Sequence, residues 1–123
     1  MGLDQEFRVR QRGRDDYEEL AYFRKVNFLH GFIETVVLDN QPTNTDDIAL
    51  STDVLKDLIH RCESVLANHN RAPLLLPTRE GFFFGNYNYD EWYFKDVQNV
   101  LDAARKALAM QLEGAEVVYW SWW

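Results

Sequence analysis

The chain has 123 residues, 46% of them apolar and 15% aromatic, with a formal net charge of −7. That length fits one domain, residues 1–123, able to bury a core without staples, and the apolar content excludes global disorder. The negative charge tells against a general duplex-binding protein, which needs cations to displace counterions, and no apolar run approaches the ~20 residues of a membrane span.

The opening segment, Met1–Arg10, is charged and lacks the apolar centre of a secretory signal, and the lone Cys62 allows no internal disulfide. Both features suit a reducing cytoplasm. Arg8, Arg10, Arg12 and Arg14 alternate, and Asp15, Asp16, Glu18 and Glu19 follow at once. An extended strand would put those arginines on one face as an anion-binding edge. A solvated N-terminal arm, about residues 1–14, leading into a charged helix start is the other reading.

Periodicity predicts three helices. The first spans about Asp16–Val37, with Tyr22, Val26, Leu29, Ile33, Val36 and Val37 as its apolar face, and Asp39, Asn40 and Pro42 breaking it. On its wheel Phe23, Asn27, His30 and Glu34 form a stripe along the margin of that face. Such a stripe either shapes a polar pocket, in which His30 titrates near neutral pH, or makes ordinary structural hydrogen bonds. Arg24 falls on the solvent side and Lys25 on the other border.

The second helix runs from about Thr52 to Ala67. Val54, Leu55, Leu58, Ile59, Cys62, Val65 and Leu66 fall within about 140° at about 100° per residue. Ser51 or Thr52 can cap it, and His60 points to solvent. The third runs from about Tyr89 to Gln111, with Asn88 and Glu91 at capping-box spacing. Tyr93, Val97, Val100, Leu101, Ala104 and Leu108 line its buried face, and Gly114 lies just past its end. The runs Gly81–Gly85 and Glu116–Trp123 read as strands, and "EFRVRQR" as a further candidate. Both faces of the last strand are apolar, so both are expected to meet protein. The expected class is α+β, mostly helical, with about three helices packed with a two- or three-stranded sheet.

The start of the third helix, next to the aromatic stretch ending at Gly85, is a place where a phosphate or carboxylate could sit, although Asp90 and Glu91 would compete for it. Trp92 falls opposite the buried face and is a candidate partner contact, as is Trp122. There is no phosphate-loop pattern, no Gly-x-Ser-x-Gly and no His-Glu-x-x-His. Cys62 has no base placed to activate it, and His30, His60 and His69 do not share helical spacing, so neither a catalytic residue, a metal site nor a cofactor is expected.

Taken together these motifs resemble a family of small proteins encoded mainly by bacteriophages and prophages, without an established function. Its members begin "MGLD", as Met1–Asp4 do. They carry "YWRKAN-x-IH", matched by Tyr22–His30, and "C-x-x-VL", matched by Cys62, Val65 and Leu66. They also carry "LLPT-x-x-GFFFG" and "YDEWY", matched by Leu75–Gly85 and Tyr89–Tyr93, and close on a tail like "YYQSSW", where this chain has "YWSWW". The chain departs at Phe23, where members have Trp, and its linker Leu38–Ser51 lacks a Cys that members often carry, which tells against a metal or redox role there.

The resemblance implies that Arg24, Lys25, Asn27 and His30 act together, as do Thr78, Gly81, Gly85, Asp90 and Glu91, and that the two groups converge on one pocket. It also implies a cytoplasmic, host-cell setting. Three readings stay open. One is a phage accessory protein, with an anti-defence role, that binds a small anionic, nucleotide-like ligand without turnover. Another is an acidic inhibitor that blocks a host protein, such as a nucleic-acid-binding defence enzyme, through Trp92 and Trp122. The third is a hydrolase using His30 as base with Asp90 or Glu34. A homo-oligomer is compatible with each.

Overall fold

The computed structural model describes residues 2–80 and 85–123. Its elements in chain order are β1 (Asp4–Arg10), β2 (Glu18–Arg24), α1 (Asn27–Phe32) continuing into a π-helical turn (Ile33–Val37), and β3 (Ile48–Ala49). Then come α2 (Thr52–Ala67), a 3-10 turn (His69–Arg71), α3 (Ala72–Leu75), α4 (Glu91–Leu112) and β4 (Glu116–Trp122). The class is mostly helical α+β. The strands form one antiparallel sheet in the order β2-β1-β4-β3, one strand more than the upper expectation.

The strand period explains which face is covered. Gln5, Phe7 and Val9 of β1 and Val117, Tyr119 and Ser121 of β4 are buried beneath the helices. α4 crosses this face, touching β1, β2 and β4, and α2 packs on α4. The opposite face carries Arg8, Trp120 and Trp122. The Arg8 guanidinium lies 4.3 Å over the Trp120 ring, while Trp122 stays 58% exposed. The expectation that both faces of the last strand meet protein holds on the outer side for Val118, which is buried, but not for Trp122: no second layer covers that end, where Arg8 lies over the Trp120 ring and Trp122 meets solvent. The C-terminus is tied back instead by Trp123, whose indole N–H donates to the Thr43 carbonyl at 2.8 Å and whose backbone N–H donates to Asn44 Oδ1 at 3.0 Å.

The predicted N-terminal arm is strand β1, paired on both sides. Arg8 meets Glu6 and Asp47, and Arg10 meets Glu116 and lies over the Tyr17 ring, so these two arginines are paired within the sheet, while Arg12 and Arg14 lie beyond the end of β1 and do not continue a strand face.

The first predicted helix is the main correction. Glu18–Arg24 is a strand, and helix begins only at Asn27. Glu-Glu-Leu-Ala has good helix propensity, but pairing with β1 and burial of Phe23 against Phe7, with ring centroids 5.2 Å apart, outweigh it. Lys25 then takes φ of 57°, turning the chain between strand and helix, while its N–H donates to the Leu3 carbonyl at 2.7 Å. Asp39 and Asn40 also adopt left-handed φ and end the π-helical turn, where the sequence expects the break.

The second helix has the expected bounds, with Ser51 Oγ accepting from the Val54 N–H at 3.2 Å. The third is capped by Asp90, not Asn88: Asp90 Oδ1 accepts from the Tyr93 N–H at 3.1 Å, whereas the Asn88 N–H donates to Asn86 Oδ1 within the preceding loop. The strand expected at Gly81–Gly85 falls, but for Gly85, outside the described residues. Among the described residues no helix is long and apolar enough to cross a membrane.

Replacing Ser51 by Ala removes the α2 cap bond, and urea unfolding should report a loss of about 1 kcal/mol with an unchanged m-value.

Candidate functional site

A cleft of about 180 Å³ opens where the β2–α1 turn meets the loop before α4. Arg24, Lys25, Asn27 and Phe28 line it from one segment. Thr78, Gly85, Asn86, Asn88, Asp90, Trp92, Tyr93 and Asp96 line it from the other. The two segments are held together by Asn27. Its Nδ2 donates to the Asn86 carbonyl at 2.9 Å and its Oδ1 accepts from the Arg79 N–H at 3.0 Å, so one buried amide grips both ends of the 79–86 stretch. Thr78 closes the loop on itself: its N–H donates to the Tyr89 hydroxyl at 3.1 Å and its Oγ1 to the Tyr87 carbonyl at 2.9 Å.

Tyr93 forms the floor, its ring tilted at 58° to that of Phe28 with centroids 5.1 Å apart, and its hydroxyl donates to the Leu76 carbonyl at 2.7 Å. At the turn, Gly85 has φ of +80°, and a Cβ there would lie 3.1 Å from the Lys25 Cβ, so the close approach of these two backbones requires glycine.

Charge in the cleft is mixed. Arg24 and Lys25 are exposed, and neither makes an ion pair among the described residues. Asp90 is committed to the helix cap. Burial pushes the Asp96 carboxyl up to about 6, the neighbouring Asp90 charge adding to this and Lys95 opposing it. Trp92 stands at the rim, 65% exposed, with Lys95 Nζ 5.7 Å from its ring centroid.

Of the residues singled out from the sequence, Arg24, Lys25, Asn27, Thr78, Asp90 and Trp92 are thus brought to one cleft. His30, Glu91 and Trp122 are not. Glu91 is exposed on the first turn of α4, and Trp122 lies on the open face of the sheet. His30 sits inside the core, fully buried.

The His30 position belongs to a chain of buried polar groups. Gln5 Nε2 donates to the Tyr119 hydroxyl at 3.0 Å, the hydroxyl lies 2.8 Å from His30 Nδ1, and His30 Nε2 lies 3.0 Å from Glu34 Oε2. Glu34 also receives the Thr43 N–H at 2.8 Å and the Arg79 guanidinium at 2.7 Å. Because Gln5 donates to the hydroxyl, the hydroxyl is free to donate to Nδ1, and the ring proton then rests on Nε2 facing the carboxylate. Burial holds His30 below its ordinary value, against the pull of Glu34, which keeps this ring neutral. Gly31 makes room for the outer end: a Cβ there would meet Arg79 Cδ at 3.3 Å.

Sequence reasoning missed Gln5, Arg79, Asn86, Asp96 and Tyr119. Gln5 carried a signal, since it is the one polar residue in the alternating row of Leu3, just before β1, and Phe7 and Val9 on its inner face. The others depend on contacts at sequence separations that periodicity does not report. Cys62 is buried and its thiol is pushed up to about 12 by burial, so no thiolate is available there. Among the described residues no group of three or more His, Cys, Asp or Glu side chains could hold a metal ion.

Two measurements check this electrostatic picture. Tyr119→Phe takes the hydroxyl away from His30 Nδ1 and one of two acceptors away from Gln5 Nε2, which keeps the Val26 carbonyl, and should cost about 1–3 kcal/mol in denaturant unfolding. For Asp96, the folded carboxyl at about 6 lies above the ordinary 3.8, so folding takes up a proton between those values and loses that contribution as pH rises through 6. Asp96→Asn should therefore raise the calorimetric Tm relative to the parent at pH 7.5 and leave it nearly unchanged at pH 4; the His30 contribution is common to both proteins and cancels. No protein-family model matches the chain, and comparison with curated proteins and with solved structures found no match either.

Proposed function

We propose that the cleft binds a small anionic, nucleotide-like ligand without turning it over. The observation that carries this reading is the pair of exposed cations, Arg24 and Lys25, which have no ion-pair partner among the described residues, at the edge of a cleft that also presents an exposed indole. A guanidinium and an ammonium suit phosphate oxygens, Trp92 offers a stacking face, and the amides of Asn86 and Asn88 can address the edge of a base. The cleft alone has room for one ring or one phosphate group. The rest of a nucleotide lies over the open rim, where Arg24 and Trp92 are exposed.

Binding without turnover is favoured because the one imidazole near the site, His30, has no exposed atom and is held on both ring nitrogens. The hydrolase reading based on that residue draws no support from its position. The resemblance to phage- and prophage-encoded proteins extends the proposal to an accessory, anti-defence role in the host cytoplasm, where removing a small signalling nucleotide would be the effect. A second reading, an acidic protein that blocks a host nucleic-acid-binding enzyme, is favoured by the exposure of Trp92 and Trp122 and by the net charge of −7.

Thermal-shift measurements with mononucleotides, dinucleotides and cyclic nucleotides test the first reading. A ligand at a hundredfold excess over its Kd should stabilise the protein by about 2.7 kcal/mol. Lys25→Ala should weaken binding about tenfold or more, the loss of one charge-assisted contact, and Trp92→Ala should weaken it comparably. A panel that produces no shift, or a shift indifferent to both substitutions, overturns the proposal. Capture of a host protein that depends on Trp92 and Trp122 but not on Lys25 selects the second reading instead.

A further inference from the structure

The two edges of the sheet differ. One ends in β3, a strand of only two residues, which offers little to pair with. The other ends in β2, seven residues long, with no strand on its outer side among the described residues. Its register against β1 shifts between Phe7 and Arg8, whose partners are Ala21 and Glu19, so Leu20 is an extra, bulged residue. Beyond the bulge Ala21–Arg24 pair in unbroken register with Asp4–Phe7.

Beside that portion lies a groove of about 330 Å³ lined by Ala21, Tyr22, Phe23, Arg24 and Val26 on the sheet side. Asp96, Asn99 and Asp102 of α4 line the other. An unpaired strand flanked by a trough is the geometry into which an extended peptide adds as a further strand, its backbone bonding to the edge and alternate side chains entering the trough.

Charge selects the occupant. Asp96 and Asp102 face the groove and Glu18 and Glu19 occupy the near end of β2, and none of the four makes an ion pair among the described residues. Arg24 is the one cation along the groove. Burial already raises the Asp96 carboxyl, the condition that a neighbouring cation would relieve. A second copy of this chain fits less well. Antiparallel self-pairing of β2 would bring the Leu20 bulges into the middle of the shared ladder.

We propose that β2 accepts an extended, lysine- or arginine-bearing peptide segment of a partner protein as a fifth strand, with its basic side chains directed at Asp96 and Asp102. This site shares Arg24, Val26 and Asp96 with the cleft of the nucleotide reading, and the two are told apart by Lys25 and Asn27, which line only the cleft, and Asp102, which lines only the groove.

The test uses a fluorescein-labelled peptide of alternating lysine and valine, read by anisotropy and by amide hydrogen exchange. Saturable binding with new protection of amides within Ala21–Arg24 is expected. Asp102→Lys should weaken binding about fivefold, the scale of one exposed charge pair, whereas Lys25→Ala should leave it unchanged. The same peptide N-methylated at alternate backbone nitrogens should lose binding, because it cannot complete the ladder. The proposal is overturned by the absence of saturable binding, by equal binding of the N-methylated peptide or of a glutamate–valine peptide, or by indifference to Asp102→Lys. It is overturned in favour of a second copy if ultracentrifugation shows a dimer and the Ala21–Arg24 amides are protected without peptide.

Discussion

One chain of buried hydrogen bonds ties the layers of this protein together. It runs from Gln5 on β1 through Tyr119 on β4 and His30 on α1 to Glu34, and ends on the Arg79 guanidinium at the surface. Gln5 also holds the Val26 backbone at both its N–H and its carbonyl, each at 2.9 Å, and so fixes the turn from β2 into α1. Within a low-dielectric core each of these groups must be matched, since an orphaned one costs about 1–3 kcal/mol. The apolar cluster around Leu29, Leu55, Leu58 and Val97 supplies the bulk of burial but tolerates sliding; the polar chain permits one arrangement of sheet, helix and loop.

That arrangement positions the cleft. Arg79 is anchored through its side chain to Glu34 and through its backbone to Asn27, so the loop that follows α3 leaves the core at a set place. Asn27 receives the loop again at Asn86, and Lys25 and Gly85 cross with left-handed backbones. Strain of this kind, in a lysine without a glycine's freedom, persists where surrounding contacts over-determine it. Here the contacts are the Leu3 carbonyl on one side and the loop on the other. The result is that Lys25 and Arg24, adjacent in a strand-to-helix turn, both remain at the mouth of the cleft.

The sheet is asymmetric in a way that the charge balance explains. Its inner face is apolar apart from Gln5, Tyr119 and Ser121, and its outer face alternates cations, carboxylates and rings: Arg8 on Trp120, Arg10 with Glu116, Tyr22 with Asp4. Opposite charges placed across neighbouring strands allow an open sheet face to meet water without a large apolar patch. Among the acids outside these pairs, Glu18 and Glu19 on β2 and Asp96 and Asp102 on α4 border the same edge of the sheet.

Much of the fold was legible in the residues. The α2 bounds, the buried face of α4, the break at Asp39 and Asn40 and the alternation of β4 follow from local period and turn chemistry, which act over a few residues and need no partner. The mostly helical α+β class follows from the same signals. The grouping of Arg24, Lys25, Asn27, Thr78 and Asp90 came from resemblance, since wheel geometry alone sent Arg24 and Asn27 to different sides. What the tertiary structure decided was the state of Glu18–Arg24, the depth of His30 and the membership of Asp96 and Asn86 in the cleft. A segment with helix propensity became a strand because a neighbouring strand and a buried Phe23 offered more than local hydrogen bonds could. An imidazole at a helix margin became a core group because Tyr119 and Glu34, far apart in sequence, closed on both its nitrogens. Sequence encodes local preference directly, but burial is a property of the assembled chain, and it was burial that assigned these side chains their roles.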